Sequence, residues 1–174
     1  RRFSIQLDGF DYDDKYIFDD IGYNLIPSEI SAAFALVQYQ KLENNIAIRK
    51  RNFSYMASFL SQYPEVFQLF TPEPKAEINW LAFPVVLKGK LEGKRRDFQI
   101  FLERRGIQTR TIFTGNIMKQ PIMNGLKYRE FTSDFSVANN VMKNGALLGC
   151  HNGLEIDDLE YVTKVIIDFI ESNG

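Results

Sequence analysis

Trp80-Leu81-Ala82-Phe83-Pro84-Val85-Val86-Leu87, closed by Lys88-Gly89-Lys90, is the stretch on which the fold turns. Aromatic and β-branched residues bounded by turn residues read as a strand. Pro84 has no N–H to give a ladder, so the strand is expected at a sheet edge or with a bulge. Beyond it the period changes. Arg95 to Arg105 sets Phe98, Phe101 and Leu102 on one side of a helix, and Gly106 closes it. Ile107 to Phe113 returns to β-branched character. Further on, a loop with Gly115, Pro121 and Gly125 leads to a helix over Phe135–Asn144, stopped by Gly145. A short strand at Ala146–Gly149 follows, then a last helix over Asp157–Ile170 that buries Leu159, Val162, Ile166 and Ile170.

On the N-terminal side, Pro72 and Pro74 mark a turn. Before it Ser28 can cap a helix, and Glu29 suits the positive end of its dipole. Ile30, Ala33, Phe34 and Val37 recur at helical spacing, and Phe53, Met56, Ala57 and Leu60 continue the stripe to Tyr63-Pro64. This predicts one helix of roughly 30 residues, long for a globular protein, with a bend or break at Asn44-Asn45. Residues 1–27 are aromatic, acidic and without helical period. The expected class is α+β: a long helix plus a small sheet covered by helices on one face. Residues 28–174 form the domain, and 1–27 form an irregular segment. Arg1-Arg2-Phe3-Ser4 does not read as a natural start, so the chain is expected to be a fragment, or a processed or trimmed piece, with 1–27 left from a truncated larger domain. Strand order and direction do not follow from periodicity.

Composition sets limits. At 174 residues there is room for one compact domain. Lys+Arg 21 against Asp+Glu 22 leaves a net charge of −1, without the basic field of a general nucleic-acid binder. No apolar run approaches the ~20 residues that span a membrane, and no signal-like stretch opens the chain. Cys150 is the single cysteine, so no intrachain disulfide can form, which fits a reducing, cytoplasmic setting. With no CxxC partner it makes neither a zinc site nor an iron–sulfur site from this chain alone, and no metal is expected.

Two distant stretches carry the chemistry: Gly22-Tyr23-Asn24, and Thr109-Arg110 followed by Gly115-Asn116. Each places donors at turns, where backbone can approach an anionic ligand. Asn24 precedes a helix N-terminus, where a carboxamide N–H can meet a phosphate oxygen and the dipole favours the anion; the plainer reading is a turn asparagine satisfying local backbone. Arg110 offers a fork suited to a diphosphate or sugar oxygen, or is an exposed cation on a strand end. Gly115 permits close backbone approach, and Asn116 can bond sugar hydroxyls, unless the pair is simply a tight turn. Tyr23 can stack or bond near a ligand, or staple the following helix. His151 is a candidate proton shuttle or a structural turn residue.

Gly22-Tyr23-Asn24-Leu25, Glu29-Ile30, Ala32-Ala33, Gln38 through Leu42, and Arg49 with Asn52 resemble the DegT/StrS-type sugar aminotransferases, fold type I pyridoxal-phosphate enzymes. Gly106-Ile107-Gln108-Thr109-Arg110, Gly115-Asn116, Gln120-Pro121 and Leu148 through Leu154 resemble the branch of nucleotide-sugar 3-dehydrases, with Asn152 where a second histidine is common. The resemblance implies the C-terminal small domain of such an enzyme. The cofactor would be pyridoxal 5′-phosphate or pyridoxamine 5′-phosphate, with Asn24 and Tyr23 on its side. Arg110, Asn116, Gly115 and His151 would face a nucleotide-sugar substrate. The implied reaction of the whole protein is C3 dehydration of a nucleotide-linked 4-keto-6-deoxyhexose in dideoxysugar (lipopolysaccharide) biosynthesis. Its catalytic lysine or histidine would lie in an N-terminal domain outside this chain. The implied partners are a second subunit, in a homodimer with shared sites, and a reductase. Amino-sugar formation by a plain aminotransferase, and a non-catalytic binding or dimerisation module when isolated, stay open as alternatives.

Overall fold

The computed structural model describes residues 5–11, 13–18, 20–23, 25–129 and 134–173. They fall into two compact units, Arg1–Gln40 and Lys41–Gly174. In the first, β1 (Gln6–Leu7) pairs antiparallel with β2 (Phe10–Asp11). The connecting Asp8 and Gly9 both take positive φ, +47° and +84°, as an Asp-Gly type I′ hairpin turn requires. This small hairpin was not expected from residues 1–27. A 3₁₀ turn, Asp14–Tyr16, follows, capped where the Asp13 carboxylate accepts from Lys15 N at 3.2 Å. α1 spans Glu29–Gln40. Ser28 caps it as expected, its Oγ accepting from Ser31 N at 3.2 Å.

The second unit opens with α2 (Leu42–Leu60). The single long helix therefore resolves into two, and the break falls at Lys41 rather than at Asn44-Asn45. The asparagines do not compete with the helix backbone: the Asn45 amide hydrogen-bonds Lys41 O at 3.0 Å in helical fashion, and its side chain accepts from Asn152 Nδ2 at 3.1 Å. Next come β3 (Phe67–Leu69), β4 (Ala82–Leu87), α3 (Arg95–Glu103), β5 (Thr109–Thr111), α4 (Ser136–Asn144), β6 (Gly145–Gly149) and α5 (Ile156–Glu171). β3 is a strand that periodicity did not reveal; three residues are too short to show alternation. α5 is closed by a reciprocal capping box, with Glu155 N donating to Asp158 Oδ2 at 2.9 Å.

The sheet runs β3-β4-β6-β5, each neighbouring pair antiparallel. β4 is thus an inner strand, not the edge that Pro84 suggested. The register gives the reason: β3 pairs only with Val85, Val86 and Leu87 and ends there. At Pro84 the strand has a single neighbour, Leu147 of β6, so the missing N–H sits beside a locally open flank.

Alternation then sorts the sheet. Phe83, Val85 and Leu87 of β4, with Ala146 and Leu148 of β6, face one core together with Met56 and Leu60 of α2, Phe98 and Leu102 of α3, and Leu159, Ile166 and Phe169 of α5. Each of the larger side chains contributes ~1.5–3 kcal/mol by leaving water. α4 supplies nothing to this cluster and packs instead against β4 and β6, where Val86, off the core face, is also buried. The helices that build the core cover one face; the short α4 adds to the other.

Candidate functional site

α3 ends in a turn that aims β5. Gly106 takes φ +78°, and Ile107 N donates back to Leu102 O at 3.1 Å, a glycine helix stop. The chain then enters β5 at the sheet edge with Thr109 buried and Arg110 exposed. Thr109 Oγ1 accepts from Gln99 Nε2 at 3.1 Å and donates to Glu103 Oε1 at 2.7 Å, so the nearby carboxylate is already engaged. Arg110 Nη1 donates to Thr109 O at 2.9 Å. The Gln108 amide, turned with its oxygen toward the guanidinium, accepts from Nη2 at 2.7 Å and Nη1 at 3.2 Å. Among the described residues no carboxylate pairs with Arg110. Its fork is oriented by neutral groups, and it lines a shallow cleft with Glu103, Gly106 and Gln108.

Antiparallel pairing of Thr109 with Leu148 brings the start of β5 beside the end of β6. A second cleft of about 280 Å³ opens there. It shares Gly106 and Gln108 with the first and adds Gly149, His151, Asp158 and Tyr161. His151 Nδ1 accepts from Gly153 N at 3.1 Å, so the neutral ring carries its proton on Nε2. Tyr161 Oη donates to Arg105 O at 2.9 Å, tying α5 to the end of α3. Arg110 and His151, found by sequence as separate candidates, therefore lie on adjoining clefts.

Gly115 and Asn116 lie at the opposite end of the strand pair, where Thr111 faces Ala146. Gly115 N donates to Ile112 O at 3.0 Å, closing a turn. Gly115 takes φ +65°, and a side chain there would come within 2.5 Å of Met142 Cβ; the close approach it permits is to α4. Asn116 is buried at 3% exposure: Oδ1 accepts from Met118 N and Nδ2 donates to Asn139 Oδ1, both at 2.9 Å. Gly115 lines a separate cleft of about 200 Å³ with Arg95, Gln120 and Phe113. Phe113 escaped sequence reading. It is 87% exposed at φ +44°, an outlier for a bulky residue, yet Ile-Phe-Thr-Gly reads as an ordinary strand end.

In the first unit Tyr23 is exposed, and its hydroxyl makes no hydrogen bond among the described residues. Asn24 lies outside the described residues. Cys150 is fully buried, with Sγ 3.8 Å from Trp80 O. Burial pushes its thiol up to about 11, against a smaller downward pull from Arg49, so it is a packed thiol with little nucleophilic form. Among the described residues no cluster of metal-binding side chains occurs, and no helix is long and apolar enough to cross a membrane.

The site geometry and the α+β frame meet a family match at this point: residues 2–167 fit the DegT/DnrJ/EryC1/StrS aminotransferase family, and the chain belongs to it. It is 31% identical to the lipopolysaccharide biosynthesis protein RfbH of Salmonella typhimurium, over 99% of this chain and 40% of that protein. It is 30% identical to the GDP-4-keto-6-deoxy-D-mannose 3-dehydratase of Escherichia coli O55:H7, over 89% of this chain and 39% of that protein. A solved structure of GDP-4-keto-6-deoxymannose-3-dehydratase with a trapped PLP-glutamate geminal diamine superposes with a TM-score of 0.74 and 26% identity, covering 87% of this chain and 38% of that one. The chain thus spans about 40% of the length of these relatives. The expected fold and the 3-dehydrase resemblance both stand.

Proposed function

We propose that this chain is the substrate-gripping part of an enzyme that uses pyridoxal or pyridoxamine 5′-phosphate to remove the C3 hydroxyl of a nucleotide-linked 4-keto-6-deoxyhexose, as a step in dideoxysugar formation. The observation that carries the reading is Arg110: an exposed guanidinium on an edge strand, aligned by Gln108 and Thr109, with no carboxylate partner among the described residues. Such a fork suits the diphosphate of a nucleotide sugar. His151, one cleft away, offers Nε2–H to a ligand oxygen. The Gly115 turn lies at the other end of β5 beside a separate cleft, and Asn116, expected from sequence to bond a sugar hydroxyl, is buried and spends its amide on holding that loop in shape. Tyr23 and Asn24 serve the cofactor, offering hydroxyl and carboxamide donors to its phosphate ahead of α1. When bound, the cofactor serves as electron sink for the carbon that loses its substituent. The groups assigned here bind and orient; the lysine or histidine beside the cofactor belongs to residues outside this chain.

The whole protein is proposed to work in the cytoplasm as a homodimer with shared sites, alongside a reductase that consumes the dehydrated product. Amino-group transfer is the second reading. It is favoured by the 25% identity to the dTDP-4-amino-4,6-dideoxy-D-glucose transaminase of Escherichia coli over 93% of this chain. Incubating the whole protein with pyridoxamine 5′-phosphate and a 4-keto-6-deoxyhexose nucleotide separates the two. Loss of water from C3 is expected; formation of an amino sugar alone would favour the transaminase, and consumption of neither would reject both. The 174-residue chain by itself is expected to give no turnover. In the whole protein Asn24→Ala is expected to weaken cofactor affinity in a fluorescence titration more than it changes folding; unaltered affinity would remove that assignment.

A further inference from the structure

Asn52 is a polar side chain with no exposure at all, in the middle of α2. Its Nδ2 donates to His151 O at 2.8 Å and reaches Leu154 O at 3.4 Å, and its Oδ1 accepts from Arg51 Nε at 3.0 Å. Arg51 Nη2 donates to the same Leu154 O at 2.9 Å. One helix thus pins both ends of the turn His151–Leu154, which joins β6 to α5. Inside that turn Leu154 N donates to His151 O at 3.2 Å, and Gly153 N donates to His151 Nδ1 at 3.1 Å. The ring lies across Gly149: a Cβ added there would meet His151 Cδ2 at 3.7 Å and Nε2 at 4.0 Å. The backbone that supplies the ring's fixed partner is therefore the backbone that Asn52 holds.

We infer that Asn52 is a positioning residue. By fixing the turn His151–Leu154 it commits Nδ1 of His151 to an internal bond and presents Nε2–H as a donor to an oxygen acceptor (hydroxyl, carbonyl or phosphate) in the cleft of Gly106, Gly149 and Tyr161. This rests on the proposed use of that cleft by substrate. A buried asparagine that served only to join β6 to α5 would stabilise the chain without governing the ring. The two roles predict different results.

His151 is the only histidine of the chain, so its imidazole gives a single, unambiguous set of NMR signals. In the 174-residue chain, a scalar coupling across the Gly153 N–H···Nδ1 bond and a cross-relaxation peak between His151 Hδ2 and the Gly149 α protons are expected. Both should vanish in Asn52→Ala while the dispersed amide signals of the sheet persist. A folded Asn52→Ala that keeps both signals overturns the proposal. If that variant does not fold, Arg51→Ala, which removes an exposed side chain, is expected to weaken both signals; no change would overturn it equally. In the whole protein, His151→Ala and Asn52→Ala are each expected to raise the KM for the sugar nucleotide about tenfold, the loss of one hydrogen bond to a ligand. The double variant should be no worse than His151→Ala alone; additive effects would contradict action through the histidine. A normal KM in His151→Ala would refute the use of the cleft, and the NMR signals would still decide the role of Asn52.

Discussion

Phe113 occupies the first central place of the Ile112–Gly115 turn at a positive φ that glycine adopts without strain. A bulky residue in that region costs on the order of 1–3 kcal/mol, and with 87% of its surface in water the ring recovers little of this by burial. Phe113→Gly is accordingly expected to stabilise the chain by about 1 kcal/mol, read as a higher urea midpoint at unchanged slope; a lower midpoint would show that the ring is held by packing. Cys150 gives a pH test. Its thiol is raised from 9.0 to about 11 in the folded chain. Between these values the unfolded chain has released its proton and the folded chain has not, so the contribution to stability is complete below pH 9 and is lost as pH rises through about 11. Replacing Cys150 by alanine should flatten that part of the stability curve, and the native thiol should react with disulfide reagents only after unfolding. At this scale sequence showed residue chemistry and not residue partners. Arg110 was legible because a guanidinium after β-branched residues has few apolar uses. Asn52 appeared only as part of an Arg-x-x-Asn step, because its acceptors lie about a hundred positions away, at His151 and Leu154.

Elements were legible where their period was long. α3, α5 and β6 fall within a residue or two of their expected limits, since each has a one-sided apolar stripe or a glycine stop. β3 was missed because three residues have no measurable period, and β4, expected at an edge or with a bulge, proved an inner strand because neighbour length is a tertiary property. The expected long helix failed at Lys41, where the stripe on either side gives no hint of a break and the boundary between the two units falls. The junction between β4 and the following 3₁₀ turn, Gly89–Leu91, provides an element-scale test. Gly89 takes φ +54°, and the Glu65 carbonyl stands where a Cβ would go, beside the Lys88 N to Val66 O bond of 2.9 Å that finishes the β3–β4 ladder. Gly89→Ala is expected to destabilise the chain by roughly 1–3 kcal/mol. Wild-type stability in urea would show that the turn can rearrange freely.

For the molecule as a whole, the α+β class and the family were legible because several weak motifs occur in the right order, and that order is a property of sequence. The division of the candidate groups was not. Arg110 and His151 lie on adjoining clefts because β5 runs antiparallel to β6, whereas Gly115 and Asn116 were carried to the other end of the same pair. Pairing direction has no signature in periodicity. The central claim is that this chain grips the charged ligand while the reacting carbon is handled by residues outside it. Steady-state kinetics of the whole protein with Arg110→Ala tests this most directly. A KM for the sugar nucleotide raised about tenfold or more, with kcat little changed, is the expected result for loss of a charged contact that is equal in ground and transition states. An unchanged KM, or a loss confined to kcat, would contradict it.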